Sequence, residues 1–142
     1  MLGRLYNILK HSYWLAIVWV VIIFILLVMP AKDVPSVGFL GSLHIDKAVH
    51  FGLFGTLVAL WTIPYASRHN PNKNTRFFLL VCLASCAFGA GMEWFQLEFT
   101  DRDYENGDII ADSIGAIVGM IISMAWVKAE KKRATDPPPR GR

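Results

Sequence analysis

Three pairs of polar side chains recur at helical spacing inside apolar stretches of this chain. Asp46 and His50 are four apart, Glu93 and Gln96 three apart, and Asp108 and Asp112 four apart. At those spacings each pair shares one side of a helix. Carboxylates beside an imidazole can relay protons, act as acid and base, or hold a cation. Lys47 and Arg102 add two cationic groups, and the planar fork of an arginine can bridge carboxylates or meet a phosphate. A carboxylate within a membrane segment costs roughly 2.5–3.5 kcal/mol on insertion scales, so it is normally paired or working.

The elements that carry these residues are apolar and long. Ser12–Met29 holds no charge and meets the length criterion for a spanning helix. No small-x-small cleavage site follows it, so an uncleaved first span is expected. Further spans are expected from Asp46 to about Ala66, from Arg76 to about Leu97 and from Asp108 to Val127. The fold class is therefore all-α, a bundle of four transmembrane helices. Residues 1–11 form a cytoplasmic lead, 12–127 the membrane domain, and 128–142 a disordered, basic, proline-rich cytoplasmic tail. Three of the 14 lysines and arginines, Lys32, Lys47 and Arg102, fall on one side of this arrangement and the rest on the other. The positive-inside rule then places both termini in the cytoplasm.

Composition narrows the function. Charged residues make up 18% of the chain, against roughly 25% in soluble domains. The net charge of +3 sits in the tails, and no basic–aromatic patch points to nucleic acid. There is no Gly-x-Ser-x-Gly, His-Glu-x-x-His or phosphate-loop element. Cys82 and Cys86 lie on one helical face without a third thiol and read as packing residues. No metal site is assigned from the sequence, and cofactor and oligomeric state stay unspecified. The partner it does imply is the lipid bilayer.

Depth ties the polar pairs together. His50, Glu93 and Asp112 are each four residues from the outer boundary of their span, about 6 Å deep at the helical rise. Gly115 and Gly119 continue the Asp112 stripe, and glycines at that spacing let helices approach closely in lipid. Ser85 and Gly89 offer a similar strip on the third span. The fourth span is thus expected to pack on the second and third. Fully ionised, Asp46, Glu93, Asp108 and Asp112 outnumber Lys47 and Arg102. A protonated His50, a protonated carboxyl or a bound cation would restore balance. Structural roles compete: Asp46 as a helix cap, Lys47 snorkelling, His50 as interhelical glue, Gln96 satisfying loop backbone. Glu98, Asp101, Asp103 and Glu105 read as a solvated acidic loop.

Taken together, D-K-A-V-H-F at Asp46–Phe51, E-W-F-Q at Glu93–Gln96, Arg102, Asp108, Gly115 and Gly119 resemble the VanZ-like family of small membrane proteins. The family often shows asparagine where this chain has Asp112, so the site here is more acidic. The family is named after a protein associated with low-level resistance to the glycopeptide teicoplanin. The resemblance implies a multi-pass protein of a bacterial plasma or inner membrane, and envelope biology. The expected function is binding of a lipid-linked or cell-wall component at an outer-leaflet polar site. One alternative is a membrane enzyme acting on a lipid headgroup, with His50 as acid or base and Glu93 or Asp112 as its partner. A divalent metal held by His50 and the carboxylates is a variant of that. A proton-coupled carrier is the third reading.

Overall fold

The computed structural model describes residues 2–29, 45–69, 75–100 and 104–135. Among these residues the regular elements are all helices: α1 (Leu2–Leu9), α2 (Trp14–Val28), α3 (Ile45–Arg68), α4 (Thr75–Phe99) and α5 (Asn106–Thr135). Three of them, α3, α4 and α5, are each long and apolar enough to cross a membrane. Their outward faces carry Leu80, Leu83 and Ile122, each at least 60% exposed, and these fit a bilayer.

The first expected span is shorter than its apolar run. Lys10, His11 and Ser12 interrupt the helix, with the Ser12 hydroxyl donating to the Ile8 carbonyl. The chain bends there by 86°, so α1 and α2 could form a fourth span only as a bent pair. The 15 residues of α2 cover about 22 Å. They reach from the level of Trp61 to that of Gln96. Tyr13 stacks near Trp61 at one end, the Trp19 indole donates to the Leu53 carbonyl midway, and Leu27 meets Gln96 at the other end.

The far boundary of α5 also differs from expectation. Residues 128–135 continue the helix instead of beginning a disordered tail. The segment K-A-E-K-K-R-A-T is made of good helix formers, and no proline appears before Pro137. Glu130 and Arg133 pair at 2.8 Å one turn apart, and Lys131 donates to the His69 carbonyl. Residues 136–142 lie outside the described residues, as does the first loop, 30–44.

The tightest packing joins α3 and α5, which run parallel. Gly119 lies against the Gly55 carbonyl and Gly115 against the Phe51 carbonyl, so that any Cβ at either glycine would collide with backbone. Glycine here permits backbone-to-backbone contact, which in lipid supplies the dispersion energy that holds helices together. Apolar groups lock the two ends. Ile23, Leu27, Phe54, Leu57 and Met92 pack toward one end, and Ile63, Ala66, Phe78 and Val127 toward the other.

Candidate functional site

The parallel register of α3 and α5 generates the site. Going up the seam from the glycine contacts, the next facing pair is His50 and Asp112, and above it Lys47 and Asp108. His50 Nδ1 is 3.0 Å from Asp112 Oδ1. With Asp112 ionised and the ring neutral, the imidazole donates from Nδ1 and its Nε2 carries the lone pair. Nε2 faces Asp108 Oδ2 at 3.6 Å, beyond hydrogen-bond reach.

Glu93 enters from α4. Its Oε2 accepts the backbone N–H of Glu105 at 3.2 Å, immediately before the first turn of α5. That places the carboxylate at the positive end of the helix macrodipole, and satisfies one donor the helix itself cannot. Its Oε1 has no partner. His50, Glu93, Asp108 and Asp112 are all buried, at 5% exposure or less. The ring of Asp112 partners closes on the α4 side at Gly89, where a Cβ would press on Asp112 Oδ2.

Lys47 forms the rim. Its ammonium lies 2.7 Å from Glu105, 3.1 Å from Asp46 and 3.3 Å from Asp108. Gly107 leaves room for the lysine stem across the start of α5. The lysine is thus occupied by three acids and does not project as a free cation. Three of the five carboxylates gathered here, those of Asp46, Glu105 and Asp108, surround this one ammonium; those of Glu93 and Asp112 lie deeper among the described residues.

Of the residues picked out from sequence, Asp46, Lys47, His50, Glu93, Asp108 and Asp112 come together here. Gln96 does not join them. It turns to α2 and donates to the Leu27 carbonyl at 2.7 Å, satisfying an acceptor in the last turn of that helix. Arg102 lies outside the described residues. Gly115 and Gly119 set the approach of α3 and α5 just below the site. Glu105, read from sequence as part of a solvated loop, instead binds Lys47 by its side chain and Glu93 by its backbone. Its position directly before the α5 start was the available signal, since a residue there has an N–H at the mouth of the helix.

Comparison with protein-family models, with curated proteins and with solved structures finds no match.

Proposed function

We propose that this chain is a VanZ-like, multi-pass protein of a bacterial cell membrane that binds the headgroup of a lipid-linked cell-wall component. In this reading four spans place both termini in the cytoplasm and the polar site in the outer leaflet. The observation that carries the reading is the burial of His50, Glu93, Asp108 and Asp112 from three helices at one end of the bundle. Burying ionisable groups in a membrane protein is costly, and they mark sites of interaction with substrates or ions.

A second feature supports a lipid. A groove of about 330 Å³ follows the α3–α5 seam from Phe51 and Gly52, directly after His50, down to Leu9 and Trp126. It is lined almost wholly by apolar side chains and by the glycines of the seam. A buried polar cluster next to an apolar groove matches a headgroup with an attached chain. Deeper than the site, the buried polar residues are Thr62, Ser85 and Ser123, none of them ionisable. Among the described residues no buried carboxylate or histidine lies deeper than the site to relay a proton, which argues against the carrier reading.

The test is thermal stabilisation of the purified protein in detergent by a polyprenyl diphosphate, with phosphatidylglycerol as the control. Selective stabilisation, reduced in Arg102→Ala, supports the reading. Equal response to both lipids, or none, removes it. A glycopeptide challenge of cells carrying matched amounts of wild type and Arg102→Ala examines the relation to drug resistance.

The enzymic reading rests on one observation. His50, oriented by Asp112 and with a free Nε2, has the arrangement of a general base. Release of phosphate or headgroup from reconstituted envelope lipids, lost in His50→Gln, would move the assignment to catalysis.

A further inference from the structure

An anionic headgroup and a cluster of five carboxylates repel each other. Lys47 is already engaged by three of them, so the described residues leave the buried part of the site short of positive charge. Yet three buried polar atoms of the cluster, His50 Nε2, Glu93 Oε1 and Asp112 Oδ2, have no partner, and with a neutral ring all three can give a lone pair. The side chains of His50, Glu93 and Asp108 each offer a ligand atom within 4.8 Å of the others.

We propose that His50, Glu93 and Asp108 form a binding site for a divalent first-row transition metal, with zinc or manganese the fitting ions. The inference deepens the headgroup reading, because it concerns the same pocket, but metal binding does not require that reading to hold. Three facts about the geometry carry it.

First, the spacing fits. Two ligands on a tetrahedral zinc at the usual bond lengths lie roughly 3.3–3.5 Å apart. His50 Nε2 and Asp108 Oδ2 stand at 3.6 Å, too far to bond each other and close to the distance between two ligands of one ion. Second, the histidine is prepared. A metal-binding imidazole almost always donates its other N–H to a carboxylate or carbonyl, which fixes the tautomer and raises ligand basicity. Asp112 Oδ1 stands 3.0 Å from Nδ1, placed to accept that N–H. Third, the ligand set selects the metal. One imidazole with two carboxylates favours zinc or manganese over magnesium or calcium, which prefer oxygen alone. Three protein ligands leave a coordination position open, and a phosphate oxygen of a headgroup can take it.

Asp46, Glu105 and Asp108 make a second acidic group at the rim. It is half exposed and its oxygens already surround Lys47, so it is not the site proposed.

The experiment uses the full chain, purified in detergent without added lipid, stripped with chelator and then dialysed against zinc or manganese chloride. Metal content is read by mass spectrometry, and folding by melting temperature. The expected result is close to one equivalent of metal per chain and a melting temperature raised by the metal. Glu93→Gln and His50→Gln should lower affinity at least tenfold while still melting cooperatively. Asp112→Asn should weaken it about 10–100-fold, as loss of an outer partner of a ligand does. Glu130→Gln, at the other end of α5, should leave it unchanged. Should the variants fail to fold, manganese paramagnetic resonance on the wild type decides alone: nitrogen hyperfine coupling from one imidazole supports the site. A folded wild type that holds no more metal than Glu93→Gln, or shows no imidazole coupling, overturns it, and leaves an imidazolium clamped between Asp108 and Asp112 in its place. The two proposals separate cleanly. Lipid stabilisation that persists in metal-free protein keeps the headgroup reading without the metal, and metal uptake with no lipid response keeps the metal without the headgroup.

Discussion

His50 on α3 and Asp112 on α5 are joined by a hydrogen bond of 3.0 Å, with both side chains almost completely shielded from solvent. This bond crosses the same seam that Gly115 and Gly119 close just below it. The packing of two backbones and the orientation of an imidazole are therefore one structural fact. A change to either should be read in the other.

Asp112 should distinguish loss of charge from loss of a partner. In Asp112→Asn the amide oxygen can still accept from Nδ1, and the expected loss is about 1 kcal/mol. Asp112→Ala removes the acceptor and leaves a buried imidazole N–H unsatisfied, with an expected loss of about 1–3 kcal/mol beyond that of the asparagine variant. Reversible unfolding in mixed micelles measures both. Equal losses would mean that the bond contributes nothing to holding α3 against α5.

The glycine seam gives a sharper contrast. Gly119→Leu would drive a side chain into the Gly55 carbonyl, where only backbone movement could make room. Overpacking of this kind costs about 1–3 kcal/mol, and more where backbone must move. Gly91 has open space around its Cα, so Gly91→Ala is expected to be neutral or slightly stabilising. Melting temperatures of the two variants test this. A Gly119→Leu protein as stable as Gly91→Ala would show that the two helices do not meet through these glycines.

Why some of this was legible in the sequence, and some not, has a physical explanation. The i, i+4 spacing of Asp46 and His50, and of Asp108 and Asp112, fixed which side of each helix was polar. Membrane depth then left few ways for those sides to meet. Glycines at 115 and 119 signalled close approach for the same reason. The fate of Gln96 was not legible, because a glutamine amide serves a helix end as readily as a pocket, and only the position of α2 decides. Glu105 was missed because its role depends on a backbone N–H, which every loop residue also has. The helical stretch 128–135 was hidden by its charge: composition suggested solvation, and a solvated helix has the same composition as a solvated coil.

Gln96 should act on α2 alone. Gln96→Leu removes the donor to the Leu27 carbonyl, a bond of 2.7 Å that ties the end of α2 to α4. The expected cost is about 1–3 kcal/mol, that of stranding a buried acceptor. The effect should be local. Hydrogen exchange should quicken in the last turns of α2, while α3 and α5 keep their protection. Exchange that rises equally in all three would mean that Gln96 supports the whole bundle.

Topology is the remaining question that one measurement settles. α2 passes from the level of Trp61 and Arg68 to that of Gln96, so it traverses the bundle although it has only 15 residues. Tyr6 and Leu9 of α1 pack with Ile63, Ala66 and Val127, at the end opposite the polar site. If α2 crosses the bilayer, Arg4 and Lys132 lie on one side and Glu98 on the other. Single cysteines at these three exposed positions, in a background with Cys82 and Cys86 replaced by serine, can be labelled in intact cells with an impermeant maleimide. Glu98→Cys should react from outside, and Arg4→Cys and Lys132→Cys only after permeabilisation. Labelling of Arg4→Cys together with Glu98→Cys, with Lys132→Cys protected, would reduce the bundle to three crossings and overturn the packing of α1 beside Val127. Labelling of both Arg4→Cys and Lys132→Cys, with Glu98→Cys protected, would invert the protein and put the His50 cluster in the inner leaflet, where a component of the outer leaflet could not reach it.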